Sequence, residues 1–124
     1  MCCKTRVLLL DEDVLALELY SRELKGDYQV TTSVSVQEAR EYLHRQAMDV
    51  IIIEPTINED EGWQLLGEVR STPNPPLMIL CSVDDERKTG LVLGADAFLV
   101  KPVLPTTLHS LLDQMVARKQ TQAS

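Results

Sequence analysis

Asp49-Val50-Ile51-Ile52-Ile53-Glu54 decides how this chain is read. Four apolar, β-branched residues in a row, with no polar alternation, describe a strand covered on both faces, as in the middle of a parallel sheet. The glutamate that follows stands at the strand's C-terminal end. Working outward, residues 6–10 repeat the apolar run and end in Asp11-Glu12-Asp13. Residues 77–81 repeat it again, and residues 97–100 lead into Lys101-Pro102. Residues 28–32 form a more polar run, which suits a sheet edge.

Stretches at helical spacing separate these runs. Residues 14–25 place Val14, Leu17 and Leu24 on one face, with Gly26 as a C-terminal cap. Ser35 and Glu38 form a capping box that opens a helix to about residue 46, with Ala39 and Leu43 inward. Residues 55–61 read as a polar loop, and residues 62–71 as a third helix carrying Trp63, Leu66 and Val69. Pro73, Pro75 and Pro76 stop that helix. Residues 84–93 give a short helix closed by Gly94, and residues 105–118 the last, with Leu108, Leu111, Leu112 and Met115 inward. The polar tail, residues 119–124, is expected to fray. Five strands alternating with five helices predict an α/β, flavodoxin-like, doubly wound parallel sheet of order 2-1-3-4-5, with residues 1–124 as one domain.

Composition narrows the functions. A 124-residue chain of this kind buries roughly two-thirds of the surface its unfolded form exposes. The formal charge of −7 opposes direct nucleic-acid binding, which needs a basic surface to displace counterions. No apolar run approaches the roughly 20 residues that cross a bilayer, and no signal-peptide pattern is present. Cys2 and Cys3 are too close for an easy bridge and Cys81 sits in an apolar run, so reduced thiols of a cytoplasmic protein are expected.

In doubly wound sheets, ligands bind beyond the carboxyl ends of the strands. Asp11, Glu12, Glu54, Cys81 and Lys101 all fall there. Any one such acid, taken alone, is ordinarily a solvated loop residue or a helix cap. Together the residues carry more. Residues 7–13, Val-Leu-Leu-Leu-Asp-Glu-Asp, resemble the opening strand and acidic pair of the receiver domain of two-component response regulators (the CheY-like superfamily). Residues 49–54, with Gly62 eight residues after Glu54, resemble that family's phosphoacceptor strand and loop. Gly94-Ala95-Asp96-Ala97-Phe98-Leu99-Val100-Lys101-Pro102 resembles its final signature, which also implies a cis peptide before Pro102.

The resemblance implies roles residue by residue. Asp11 and Glu12, with the carbonyl of Thr56, match the set that holds a divalent metal, normally magnesium. Lys101 matches the lysine that pairs with the phosphoryl group, and Phe98 the aromatic that changes rotamer on activation. Cys81 stands where the family has threonine or serine, and Glu54 where it has the aspartate that takes up phosphate. Both departures oppose that chemistry. A further methylene moves the carboxylate by about 1.5 Å, and a misplacement of about 1 Å costs on the order of 100-fold in transfer rate. A thiol is a weak donor that does not replace the hydroxyl. Asn58 in place of the loop's usual proline, Pro55 after Glu54, and a shortened stretch from Cys81 to Phe98 alter the approach and the fourth helix.

Three neighbouring carboxylates repel by roughly 4 kcal/mol per pair at about 4 Å, so a cation must offset them. Lys101 is the first candidate and magnesium the second. Glu54 then either imitates part of a phosphorylated state or only forms an ion pair with Lys101. The resulting expectation is a pseudo-receiver in a bacterial phosphorelay, not an enzyme, with no output domain after the last helix. Its signal leaves by protein contact with a histidine kinase, an output protein or a second copy. The surface expected for that is the face of the fourth helix, fifth strand and fifth helix, with Arg87, Lys88, Leu91, Phe98, Val103 and Leu104. The alternatives are a working phosphoacceptor, on Glu54, Asp13 or Asp60, and a flavodoxin-type cofactor binder. The last fits poorly, because Asp11-Glu12-Asp13 stand where a phosphate loop is needed.

Overall fold

The computed structural model describes residues 4–85 and 87–123, with side chains described through residue 120. Cys2, Cys3 and Ser124, on which some expectations fall, lie outside the described residues. The elements run in strict alternation: β1 Arg6–Leu10, α1 Val14–Leu24, β2 Gln29–Ser33, α2 Val36–Arg45, β3 Val50–Ile53, α3 Ile57–Arg70, β4 Leu77–Ser82, α4 Arg87–Val92, β5 Ala97–Val100 and α5 Pro105–Ala123. All the strand pairs are parallel, and the sheet order is β2-β1-β3-β4-β5. The doubly wound sheet read from the apolar runs is therefore the fold.

Strand periodicity divides the core in two. Leu8, Leu10, Ile51, Ile53, Met78 and Leu80 point to one face and pack on Val36 and Ala39 of α2 and Ile57, Leu65, Leu66 and Val69 of α3. Val7, Leu9, Val50, Ile52, Ile79 and Cys81 point to the other, against Leu17, Tyr20 and Leu24 of α1 and Leu108, Leu112 and Met115 of α5. Each fully buried aliphatic side chain contributes about 1.5–3 kcal/mol, which is why the apolar runs dominate the reading. The polar β2 lies at the edge, as expected.

The differences from expectation lie at helix ends. Asp13 is the N-cap of α1, its carboxylate accepting from the N–H groups of Leu15 and Ala16. Val14, one residue into the helix, is consequently 64% exposed and not inward. Gly26 has no positive φ, and α1 is capped instead by Lys25 in a right-handed conformation. Gly94, at φ 103°, does close the region after α4. Helix α5 is longer than the expected 105–118 and continues to Ala123.

The expected polar loop 55–61 is a compact turn merged into the start of α3. Asn58, Glu59 and Asp60 all lie in the left-handed region, with φ of 52°, 56° and 72°, and regular helix begins after them. Gly62 lets this turn fold back, because a Cβ there would stand 2.6 Å from the Pro55 carbonyl oxygen.

Candidate functional site

Sheet register assembles the site. Leu10 is level with Ile53, Ile53 with Leu80, and Ser82 with Val100, so the next residues of four strands emerge at one end. Backbone bonds hold them there. The Glu54 N–H donates to the Leu10 carbonyl (2.9 Å), and the Lys101 N–H to the Ser82 carbonyl (2.7 Å). The Lys101–Pro102 peptide is cis.

Lys101 sits between two acids. Its Nζ donates to Oδ2 of Asp11 at 2.5 Å and lies 3.2 Å from Oε1 of Glu54. Both acids are only 8% exposed. Burial by itself lowers the lysine's pKa, but the hydrogen bond and charge of Asp11, followed by those of Glu54, outweigh it and hold the pKa above the usual value. The other carboxylate oxygen of Glu54 accepts from the Thr56 hydroxyl (3.1 Å) and the Thr56 N–H (3.4 Å). Thr56 precedes α3 yet makes no side-chain cap to it; its hydroxyl serves Glu54 instead.

The acidic pair expected to hold magnesium is split. Hard oxygen ligands suit that ion, and each of the expected ligands already has a partner within the chain. Asp11 is bound to Lys101 through one oxygen and accepts the Asp13 N–H through the other (2.9 Å). Glu12 is exposed and reaches away, accepting the Asn58 N–H at 2.9 Å. The Thr56 carbonyl accepts the Asp60 N–H at 3.1 Å. Asn58 pins this turn from its other side as well, its side-chain Oδ1 accepting the Val36 N–H at the start of α2 (2.9 Å).

Cys81 is 3% exposed and faces the α1–α5 layer. Burial pushes its thiol up to about 11, and the same cause raises the neighbouring Tyr20 phenol to about 12. The gap enclosed by Asp11, Tyr20, Glu54 and Cys81 measures about 10 Å³, the room of about one water. Ser82, unremarked in the sequence, is the fully buried hydroxyl next in line, and its Oγ accepts the Asp84 N–H. Phe98 is half-buried against the α2–α3 layer of the core.

The expected contact face is exposed at Arg87, Lys88, Leu91 and Leu104 and half-buried at Val103. Sequence reading missed its most exposed apolar member, Val92 at 84%, and also Leu93 at 46%, beside Leu104 at 68%. Nothing in their pattern separates them from the buried apolar residues of other helices, since α4 is a mere six residues long.

A second ionic cluster was not legible. His109 of α5 has Nδ1 at 2.8 Å from Glu23 and Nε2 at 2.9 Å from Asp27. The Glu23 hydrogen bond raises its pKa; burial opposes that, and Asp27 and Asp113 add to the rise. Glu23 and Asp27, and likewise His109 and Asp113, stand four apart, so each pair shows in the sequence. That the two pairs meet does not.

With this geometry in view, likeness to known proteins adds the family. Residues 7–113 match the family model described as response regulator receiver domain. The probable transcriptional regulator ycf27 of Guillardia theta is 28% identical over 123 residues, covering 97% of this chain and 48% of that protein. A putative two-component response regulator-like protein of Arabidopsis thaliana is 31% identical over 124 residues, 96% of this chain and 42% of its own. This chain thus spans about half the length of the curated relatives it matches first. Among solved structures, a CheY-like receiver domain protein from Methanospirillum hungatei superposes with a TM-score of 0.89 at 19% identity, over 97% of this chain and 99% of that one, a likeness of fold.

Proposed function

Because the chain belongs to the response regulator receiver family, we propose that it signals through protein contact, as one receiver unit over residues 1–124, and takes up no phosphate at Glu54. Receiver domains are signalling modules, not enzymes; they meet histidine kinases and output domains or pair with one another, and they generally bind magnesium at the acidic pocket. The observation that carries the departure here is the double engagement of Lys101 by Asp11 and Glu54. An ammonium that pairs with an incoming phosphoryl group is already occupied by the longer carboxylate. Phosphoryl transfer is mostly placement and charge stabilisation, and Glu54 carries its carboxylate one methylene further out than aspartate, with its second oxygen tied to Thr56. Glu54 thereby supplies a fixed negative group where a phosphoryl would bring nearly two charges and three oxygens. Lys101 is the cation that faces both buried acids.

The test is intact mass after incubation with a small phosphodonor and magnesium. Wild type is expected to stay unmodified, and Glu54→Asp combined with Cys81→Thr to gain one phosphate that hydroxylamine removes. A hydroxylamine-labile phosphate on the wild-type chain, whether on Glu54, Asp13 or Asp60, overturns the reading and restores a working phosphoacceptor. Asp13 is the poorer of the two alternative sites, since its carboxylate caps α1.

The contact surface we assign is the α4–β5–α5 face, where Arg87 and Lys88 border exposed Leu91, Val92 and Leu104. Its occupant is a kinase, an output protein or a second copy in the cytoplasm. Nucleic acid fits it poorly at a chain charge of −7. Among the described residues, no helix is long and apolar enough to cross a membrane. Leu104→Asp is expected to weaken self-association or partner capture about tenfold or more, read by sedimentation or titration, because a charge there must be desolvated on docking. Unchanged association removes this face from the proposal.

A further inference from the structure

We infer that His109, Asp27 and Asp113 form a binding site for one divalent transition cation of the zinc class, at the seam between α1 and α5 and apart from the strand-end pocket. His109 Nε2 lies 2.9 Å from Oδ2 of Asp27 and 3.6 Å from Oδ1 of Asp113. All three atoms fall within 4.8 Å of one another, and they are the one such group of ligand atoms among the described residues. Around zinc, bonds of about 2.0–2.1 Å in a tetrahedron put neighbouring ligand atoms about 3.3 Å apart. The two distances from Nε2 straddle that spacing, and the two carboxylates, at most 4.8 Å apart, belong to exposed side chains that can turn toward a shared ion.

The other side of the ring supports the same assignment. His109 Nδ1 stands 2.8 Å from Oε2 of Glu23. Metal-bound histidines characteristically donate their second ring N–H to a carboxylate, which fixes the tautomer and makes the ligating nitrogen more basic. With one proton on Nδ1, the Nε2 lone pair points at two anionic oxygens, an arrangement that either a second proton or a metal cation completes. Asp113 is itself held, since the Tyr28 hydroxyl donates to its Oδ1, and the Tyr28 ring stands edge-on to His109 with centroids 6.0 Å apart. Three ligands leave a fourth position open toward solvent, because Asp27 and Asp113 are exposed.

Ligand chemistry selects the ion class. One imidazole nitrogen with two carboxylate oxygens suits zinc and its neighbours in the first transition row, whereas magnesium and calcium favour oxygen alone. The bound ion would join the turn after α1 to the middle of α5. The site stands or falls independently of what Glu54 does with phosphate.

Zinc titration of the chelator-stripped full chain tests this, with Cys2→Ser and Cys3→Ser introduced to remove competing thiols. The reading is imidazole nitrogen resonances, for which exposed His44 is an internal control. The expected result is one zinc per chain, a shifted His109 Nε2 and an unshifted His44. Glu23→Gln is expected to weaken binding about 10- to 100-fold, and Asp27→Asn with Asp113→Asn to abolish it, with circular dichroism showing the variants folded. Zinc that leaves the His109 resonances in place overturns the site, and that reading needs no ligand variant. So does affinity that survives the double asparagine variant.

Discussion

Two clusters of carboxylates are each gathered around a single basic side chain, and they differ in how that base carries its charge. At the strand ends, Asp11 and Glu54 share Lys101, and all three side chains are at most 15% exposed. At the α1–α5 seam, Glu23, Asp27 and Asp113 surround His109, with the acids 31–64% exposed. A lysine stays charged at any physiological pH, so the first cluster is locked. A histidine holds its second proton conditionally, so the second cluster can be altered by solvent. A buried pocket closed by a permanent charge resists change with pH; an exposed one closed by a conditional charge is open to it.

The largest effect that could break this contrast is expected at Lys101. Lys101→Met strands two buried carboxylates, and removing one partner from a buried ion pair costs about 3–5 kcal/mol. Urea denaturation measures it, and a loss under about 1 kcal/mol, typical of surface pairs, would place the pocket in water's reach. Cys81 sharpens the same half. Its thiol is raised from 9.0 to about 11, which lowers the thiolate fraction near neutral pH roughly 100-fold. Alkylation of Cys81, followed by peptide mass, should be slower than for a free thiol by at least that factor. Equal rates would show a pocket that opens.

The smallest effect tests the other half. The folded pKa of His109 is raised above its ordinary 6.5, so its contribution is fully present below about that pH and disappears as pH rises through the folded value. In chelator, stability should fall by under about 1 kcal/mol from pH 6 to pH 9, because the acids around the ring are screened by water. His109→Gln should remove that slope. Lys101 adds none over this range: its raised pKa keeps its contribution intact until pH passes 10.5 and beyond. An unchanged slope in His109→Gln would assign the pH dependence elsewhere.

Much of this was legible beforehand in the strands, because each continuous apolar run has one way to be buried. Val50 to Ile53 could only lie in the sheet centre, and that placed Glu54 at its carboxyl end. Helix termini were less legible. Val14 carries an apolar side chain in helical phase, yet the Asp13 cap puts it in the first turn and in solvent. The turn at Asn58 was opaque too, since its left-handed backbone is held by Glu12 and Val36, residues far away in sequence.

The chain alone determined the alternation of elements, the sheet and the set of strand-end side chains, because local periodicity and burial suffice for those. Tertiary structure decided which acid Lys101 bonds, that Glu12 turns away to Asn58, and that His109 meets Glu23 and Asp27. Such pairings depend on distances of a few ångströms between segments as many as 90 residues apart, and electrostatic energy falls with separation in space, whatever the separation along the chain.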